Sequence, residues 1–235
     1  MTTERTRVVT ATATRQGTEK NNADGAATFT TEAGDAGAAV IDLVGHHSNA
    51  SFVARLLAET AARVGVQRGG PAGLLSAGLL VADAGDADEL EPDGVGVFAV
   101  THPGDRTVIS WIGDSHAYGW NGERLHRYTT PHTYGQQLRE HGAPWEIAEA
   151  ADHWLTTTIG RATPAGIFTI TTEDPLVILA SDGTDALPEQ DLTDLVRKHA
   201  GTPQALADAI VAAIEPDDDG YRDDTTVVVL LNHAS

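Results

Sequence analysis

Three sets of aspartates stand where an apolar run ends or is interrupted. Asp42 breaks the run Val40-Ile-Asp-Leu-Val44 just before Gly45-His-His47. Asp182 follows Leu176-Val-Ile-Leu-Ala-Ser181 and precedes Gly183. Asp223 and Asp224 lead directly into Thr225-Thr-Val-Val-Val-Leu230. A carboxylate inside or capping a buried strand is costly unless it is paired. Basic partners are scarce, because Lys and Arg number 15 against 34 Asp and Glu, a formal charge of −19 with neutral histidine. Hard divalent cations prefer oxygen ligands and would satisfy such acids. Each acid alone has a plainer reading, since Asp-Gly is a common turn and Asp often borders a strand. Taken together they point to a cation site. Asp114, in Ile112-Gly-Asp-Ser-His116, and Asp24, in Asn21-Asn-Ala-Asp-Gly25, are further acids in turn-like settings.

The elements that must position these acids follow from hydrophobic periodicity. Strands are expected over 5–14 and 37–44, with a polar, turn-rich stretch from Gly17 to Gly25. A helix is expected from Ser48 as N-cap, with Phe52, Val53, Leu56, Leu57 and Thr60 supplying its spacing, and a second helix over 72–82. An acidic loop, 84–94, leads to strands at 95–101, 106–112 and 115–120. Asn121-Gly122 signals a hairpin turn into a strand over 123–128. The stretch from Pro131 to Gly160 changes character and holds two helices, around 133–141 and 145–151. Strands at 166–171 and 175–181, helices at 189–199 and 203–214, and a strand at 227–231 complete the order. Leu192, Leu195, Val196 and His199 line one face of the first of these helices, and Leu206, Ile210, Ala213 and Ile214 one face of the second. Strands and helices come in blocks with hairpin-like spacings, which predicts an α+β fold of antiparallel sheet with packed helices in one domain over 1–235.

Composition narrows the function. At 41% hydrophobic, 21% charged and 5% aromatic residues the chain is globular. No run approaches the roughly 20 apolar residues of a membrane span. No basic and apolar leader is read at the N-terminus. The absence of cysteine excludes disulfides, thiolate nucleophiles and Cys-ligated zinc, and a cytoplasmic setting is expected. The strong negative charge disfavours nucleic acid and anionic membrane partners. No G-x-S-x-G elbow, P-loop or dinucleotide fingerprint occurs. Adjacent His46 and His47 diverge in direction and make a poor chelate. His126, His132, His141 and His153 are read as solvated or capped, and Trp145 and Trp154 as anchors of the two short helices. Asp217-Asp-Asp219 reads as a solvated loop or an outer cation site, and the sequon Asn49-Ala-Ser51 as accidental.

The ordered set of segments resembles the metal-dependent protein phosphatases of the protein phosphatase 2C type. Gly-Asp-Ser-His-Ala-Tyr at 113–118 resembles the family's G-D-S-R-A-Y, and Ala180-Ser-Asp-Gly183 its S-D-G. Arg222-Asp-Asp-Thr225 with the apolar run behind it resembles D-N-x-T. Asp42-Leu-Val-Gly-His-His47 resembles D-G-x-G-G-H, Asn22-Ala-Asp24 resembles N-E-D, and Tyr134-Gly-Gln-Gln-Leu138 with Thr158-Ile-Gly160 resembles the flap. The match runs from about residue 6 to 231.

The resemblance implies a four-layer α-β-β-α sandwich with two central, mainly antiparallel sheets and a flap-like subregion at about 130–163. It implies two Mg²⁺ or Mn²⁺ ions bridged by Asp42, with the Leu43 carbonyl, Asp182, Asp223 and Asp24 as further ligands. A third, weaker ion on Asp114 and Asp182 is found in many bacterial members. His47 matches the proposed general acid, and Lys20 replaces the family's phosphate-binding arginine, with a spacing to Asp24 one residue shorter than usual. The implied activity is hydrolysis of phosphoserine or phosphothreonine in a protein substrate, within cellular signalling. Several residues depart from the pattern: Leu43 and His46 replace glycines, Ala23 replaces Glu, His116 replaces Arg, Asp224 replaces Asn, and Asp185 comes one residue early. These departures leave open a catalytically impaired relative that binds a phosphoprotein or a regulatory partner. A phosphatase for small metabolites is a further alternative.

Overall fold

The computed structural model describes residues 7–82 and 92–232. Along the chain come β1 (Val8–Arg15), β2 (Asp24–Thr30), β3 (Ala36–Leu43), α1 (Ala50–Arg68), α2 (Gly70–Gly78), β4 (Gly94–Thr101), β5 (Thr107–Ile112), β6 (His116–Trp120) and β7 (Leu125–Arg127). They are followed by α3 (Tyr134–Glu140), α4 (Trp145–Glu149), β8 (Phe168–Thr172), β9 (Leu176–Ala180), α5 (Glu189–His199), α6 (Pro203–Ala213) and β10 (Thr225–Asn232). Most of the expected acidic loop, residues 84–91, lies outside the described residues.

Two five-stranded sheets form, ordered β1-β10-β9-β6-β7 and β2-β3-β4-β5-β8, and every pairing is antiparallel. The runs β4, β9 and β10 are apolar on both faces because each sheet is covered on both sides. Three apolar clusters mark the layers. One lies between the β2–β8 sheet and α1 with α2, centred on Phe98, Leu57 and Leu74. One lies between the sheets, around Val97, Ile109, Leu179 and Val228. The third lies between the β1–β7 sheet and α5 with α6, around Ile178, Leu206 and Ile210. The expected α+β, α-β-β-α arrangement is what the chain adopts.

Three local expectations are corrected and a fourth is refined. Residues 24–30 form a strand, which the few β-branched residues of Asp-Gly-Ala-Ala-Thr-Phe-Thr did not signal. The N-cap of α1 is Asn49, not Ser48, and its side chain makes no capping bond. The face of α1 that packs on the sheet is alanine-rich, with Ala54, Ala58, Ala61 and Ala62 buried around Leu57, whereas Phe52 is 64% and Leu56 40% exposed. Small residues bring the helix close to the strands, and larger ones on that face would hold it off. Trp145 and Trp154, read as anchors of the short helices, make their contacts at the surface: both stand mostly exposed, Trp145 under the Arg139 guanidinium and Trp154 stacked on Tyr134.

Among the described residues, no helix is long and apolar enough to cross a membrane.

Candidate active site

The acids gather because sheet register puts strand ends from both sheets at one edge of the sandwich. Asp42 lies near the end of β3, opposite Asp24 on β2 and Val95 on β4. Asp182 opens a 3₁₀ turn (Asp182–Ala186) just beyond β9, and Asp223 precedes β10, which pairs with β9. Asp114 sits in the tight turn between β5 and β6. Gly113 precedes it with φ +90°, and a Cβ there would overlap the Val95 side chain, so glycine is required.

Asp42, Asp114, Asp182 and Asp223 line one cavity of about 240 Å³, together with Leu43, His46 and Tyr221. No lysine or arginine is among its lining residues. The electrostatic result is strong mutual discouragement of charge. Burial, then the neighbouring Asp182 and Asp24, pushes the Asp42 carboxyl well up. Asp182 is raised by burial first and by the neighbouring Asp223 second. Asp114 is pushed up to about 7, again by burial first and Asp182 second. Tyr221 donates its hydroxyl to Asp223 Oδ1 at 3.2 Å, and burial and Asp223 hold its pKa at about 12.

Asp24 lies behind the cavity rather than on its wall. It is buried, accepts the Ser181 hydroxyl at 2.7 Å on Oδ2, and leaves Oδ1 without a partner. Ser181 in turn accepts the Thr226 amide, and burial lifts Asp24 to about 8. Asp224 adds little free charge to the cavity. Its two oxygens accept the backbone N–H groups of Gly17 and Ala23, each at 2.6 Å, and so pin the 16–23 loop onto the start of β10.

The replaced glycines cause no strain. Among the described residues none but glycine has a positive φ, so Leu43 and His46 sit in ordinary backbone while Gly45, at φ +85°, makes the turn. Of the two histidines, His46 lines the cavity and His47 does not. His46 Nδ1 lies 2.8 Å from the Asn21 carbonyl and 3.5 Å from Asp224 Oδ2, and the Asn21 amide holds the His46 and His47 carbonyls. Lys20 is exposed and is not among the lining residues.

No protein-family model matches the sequence, and no curated protein does either. Solved structures do match in shape. The S. agalactiae serine/threonine phosphatase superposes with a TM-score of 0.79 at 18% identity, over 96% of this chain and all of that one. The PPM Ser-Thr phosphatase MsPP from Mycobacterium smegmatis, in complex with cacodylate, gives 0.74 at 23%, over 96% and 98%. The catalytic domain of the serine threonine protein phosphatase PstP, in complex with two manganese ions, gives 0.72 at 19%, over 95% and 97%. The chain has the PPM phosphatase fold.

Within that fold the donor set can be tested against metal. Among the described residues no three His, Asp or Glu side chains are already drawn together as a cage. The chemistry nevertheless suits hard cations. The cavity is lined by five carboxylates, Asp42, Asp114, Asp182, Asp223 and Asp224, with no lysine or arginine, and the unpartnered Asp24 oxygen lies behind them. Sequence reasoning missed Tyr221, His46 and His153, the last contributed by the segment between β7 and β8. It also missed His132, which is held by Gly113: the Gly113 amide donates to His132 Nδ1, and the Gly113 carbonyl accepts the His132 amide. Asp217 is the exposed turn expected, accepting the Asp219 and Tyr221 amides. No local spacing could have revealed His153, because only the chain reversal through α3 and α4 brings it to the acids.

Proposed function

We propose that this protein is a Mg²⁺- or Mn²⁺-dependent phosphatase acting on phosphoserine or phosphothreonine of cytoplasmic proteins. The observation that carries this is the convergence of Asp42, Asp114, Asp182 and Asp223 on one cavity without lysine or arginine, in a chain with the PPM fold. Asp42, Asp182 and Asp223 would hold two ions, with Asp24 buried behind them and the Leu43 carbonyl as a further ligand. Asp114 with Asp182 would hold a third, weaker one. Bound ions of this kind neutralise phosphoryl oxygens and lower the pKa of a water nucleophile.

The chain's own residues do the rest. Tyr221 fixes one Asp223 oxygen by hydrogen bonding and so orients the other. His46 replaces His47 as the better-placed proton donor to the leaving oxygen. The Asn21 carbonyl accepts its Nδ1–H, which leaves Nε2 as the ring nitrogen for proton transfer, and Asp224 Oδ2 lies 3.5 Å from Nδ1. Asp224 and Ala23 hold the loop that positions both groups.

A second reading, a binding module without turnover, draws on Ala23 standing where a carboxylate would and on the acids not being gathered into a cage. Hydrolysis of p-nitrophenyl phosphate with Mn²⁺, Mg²⁺ or EDTA separates the two. Turnover is expected with either metal and none with EDTA. Asp182→Asn should lower it by at least about 100-fold, since even groups behind a metal ligand are worth about 10–100-fold. Metal-independent turnover, or full activity in Asp182→Asn, would refute the proposal.

A further inference from the structure

A second cavity, of about 560 Å³, adjoins the acids: Asp114 and Asp182 belong to its lining, together with Arg127 and Arg139. The two arginines differ in what they have left to offer. Arg139 gives both terminal nitrogens to the two Asp152 oxygens and lies over the Trp145 ring, so its charge and its fork are spent. Arg127, at the end of β7, is held by a neutral group instead. Its Nη2 donates to His116 Nδ1 at 2.8 Å. A guanidinium can only donate, so His116 carries no proton on Nδ1 and does not neutralise it. His116 is fully buried, and its Nε2 lies 2.9 Å from Asp185 Oδ1, outside hydrogen-bonding alignment. Asp185 forms a loose, partly exposed ion pair with Arg127 at 3.7 Å from Nη1, which offsets part of its charge but is too long for a hydrogen bond and leaves that N–H free. The other N–H groups of Arg127 meet no acceptor among the described residues. Arg127 and Asp185 also line a further cavity of about 290 Å³, so the guanidinium stands between two open spaces.

We infer that Arg127 is the anion-binding residue of this groove, taking an oxyanion of the substrate, and that His116 is the positioning residue that aims it. The inference rests on the phosphatase reading of the neighbouring acids and departs from the expected role of Lys20, which is exposed and lines neither cavity. A planar fork with free N–H groups suits a phosphoryl group or a carboxylate beside the phosphorylated residue.

The test is titration calorimetry of the full chain in Mn²⁺ with inorganic phosphate and with two phosphopeptides, one acid-flanked and one neutral, beside kcat and KM on the same peptides. Arg127→Ala is expected to weaken binding about 10- to 100-fold, as loss of hydrogen bonds to a charged group implies. Arg127→Lys, which keeps the charge and the stem, should fall between, and guards against a folding defect in the alanine variant. Loss on phosphate and both peptides assigns the phosphoryl group to Arg127; loss on the acid-flanked peptide alone assigns the flanking carboxylate. If the wild type binds these probes without turning them over and Arg127→Ala abolishes binding, the inference stands and the catalytic reading falls. If turnover is normal and Arg127→Ala changes neither affinity nor KM, the inference falls and the catalytic reading stands. Weakening in Lys20→Ala but not in Arg127→Ala, or a wild type that binds none of the probes, also overturns it.

Discussion

Two adjoining cavities share Asp114, Asp182 and His153 yet treat charge in opposite ways. In the inner one, carboxylates face one another, and burial and repulsion push their pKa values up. In the outer one, two of the four acids have an arginine beside them, Asp152 paired to Arg139 and Asp185 standing near Arg127. Burial of like charges without partners costs free energy, while partly exposed opposite charges roughly balance. The inner cavity is therefore folded against its own electrostatics, and its carboxyls would keep their charge only with positive charge supplied from outside. The outer groove sets two arginines among four aspartates, Arg139 being spent on Asp152 while Arg127 keeps free donors.

The largest effect expected from this difference is a response to metal and pH. Without metal, burial above all pushes Asp24 up to about 8 and Asp114 up to about 7, far above the unfolded value of about 3.9. The folded chain then holds more protons than the unfolded chain between about pH 4 and pH 8, so stability falls as pH rises through that window. Each such proton contributes about 1.4 kcal/mol per pH unit. Mn²⁺ competes with these protons and binds better as pH rises, so it should flatten or reverse the slope. At 100 times its Kd it adds about 2.7 kcal/mol, or about 5–10 °C in Tm for a chain of this size. Melts at pH 5 to 8 in EDTA and in Mn²⁺ check this. Metal-free stability that rises towards pH 8 would mean the inner acids do not oppose folding.

Asp224 sharpens the contrast from within the inner cavity. It lines the same space, yet both its oxygens are satisfied by the Gly17 and Ala23 amides. Asp224→Asn turns an amide NH₂ towards one of those N–H groups and should destabilise by about 1–3 kcal/mol. The same change at Asp182 in the metal-free protein should stabilise, because it removes a repelled charge without orphaning a donor. Urea midpoints of the two variants in EDTA should therefore move in opposite directions; a shift the same way in both would erase the distinction.

Much of this was legible in the sequence because strands and acids announce themselves together. The runs before Asp182 and around Asp42 marked both the strand and the residue that ends it, and the antiparallel order followed from hairpin spacings. The fold's α1 face was misread because large apolar residues were taken as core, whereas alanines do the close packing and Phe52 faces out. The choice of His47 over His46 came from motif spacing, which carries no information about which side chain the Gly45 turn aims into the cavity. Tyr221 and Arg127 carried no local signal. Their meaning comes from what lies opposite them, Asp223 for one and the buried His116 for the other.

The smallest expected effect lies in the outer groove. Arg139 is tied to Asp152 by a bidentate pair and lies 4.6 Å from the centre of the Trp145 ring, but the pair is partly exposed, at 23% and 41% of the two side chains. Solvent screening limits such a pair to about 1 kcal/mol or less, and the cation–π contact adds about 0.5–1 kcal/mol. These contacts tie α3 and α4 to one another rather than to either sheet, so their loss should open the segment locally and leave the global transition nearly in place. Arg139→Ala is expected to shift the urea midpoint only slightly while amide hydrogen exchange over 134–152 accelerates. Metal-dependent turnover of a small phosphate ester should stay within a few-fold of wild type, because Arg139 does not line the inner cavity and none of its acids is touched. A loss of turnover comparable to that of Asp182→Asn would show that the groove's paired charges and the inner acids work as one unit, and the division between the two cavities would have to be given up.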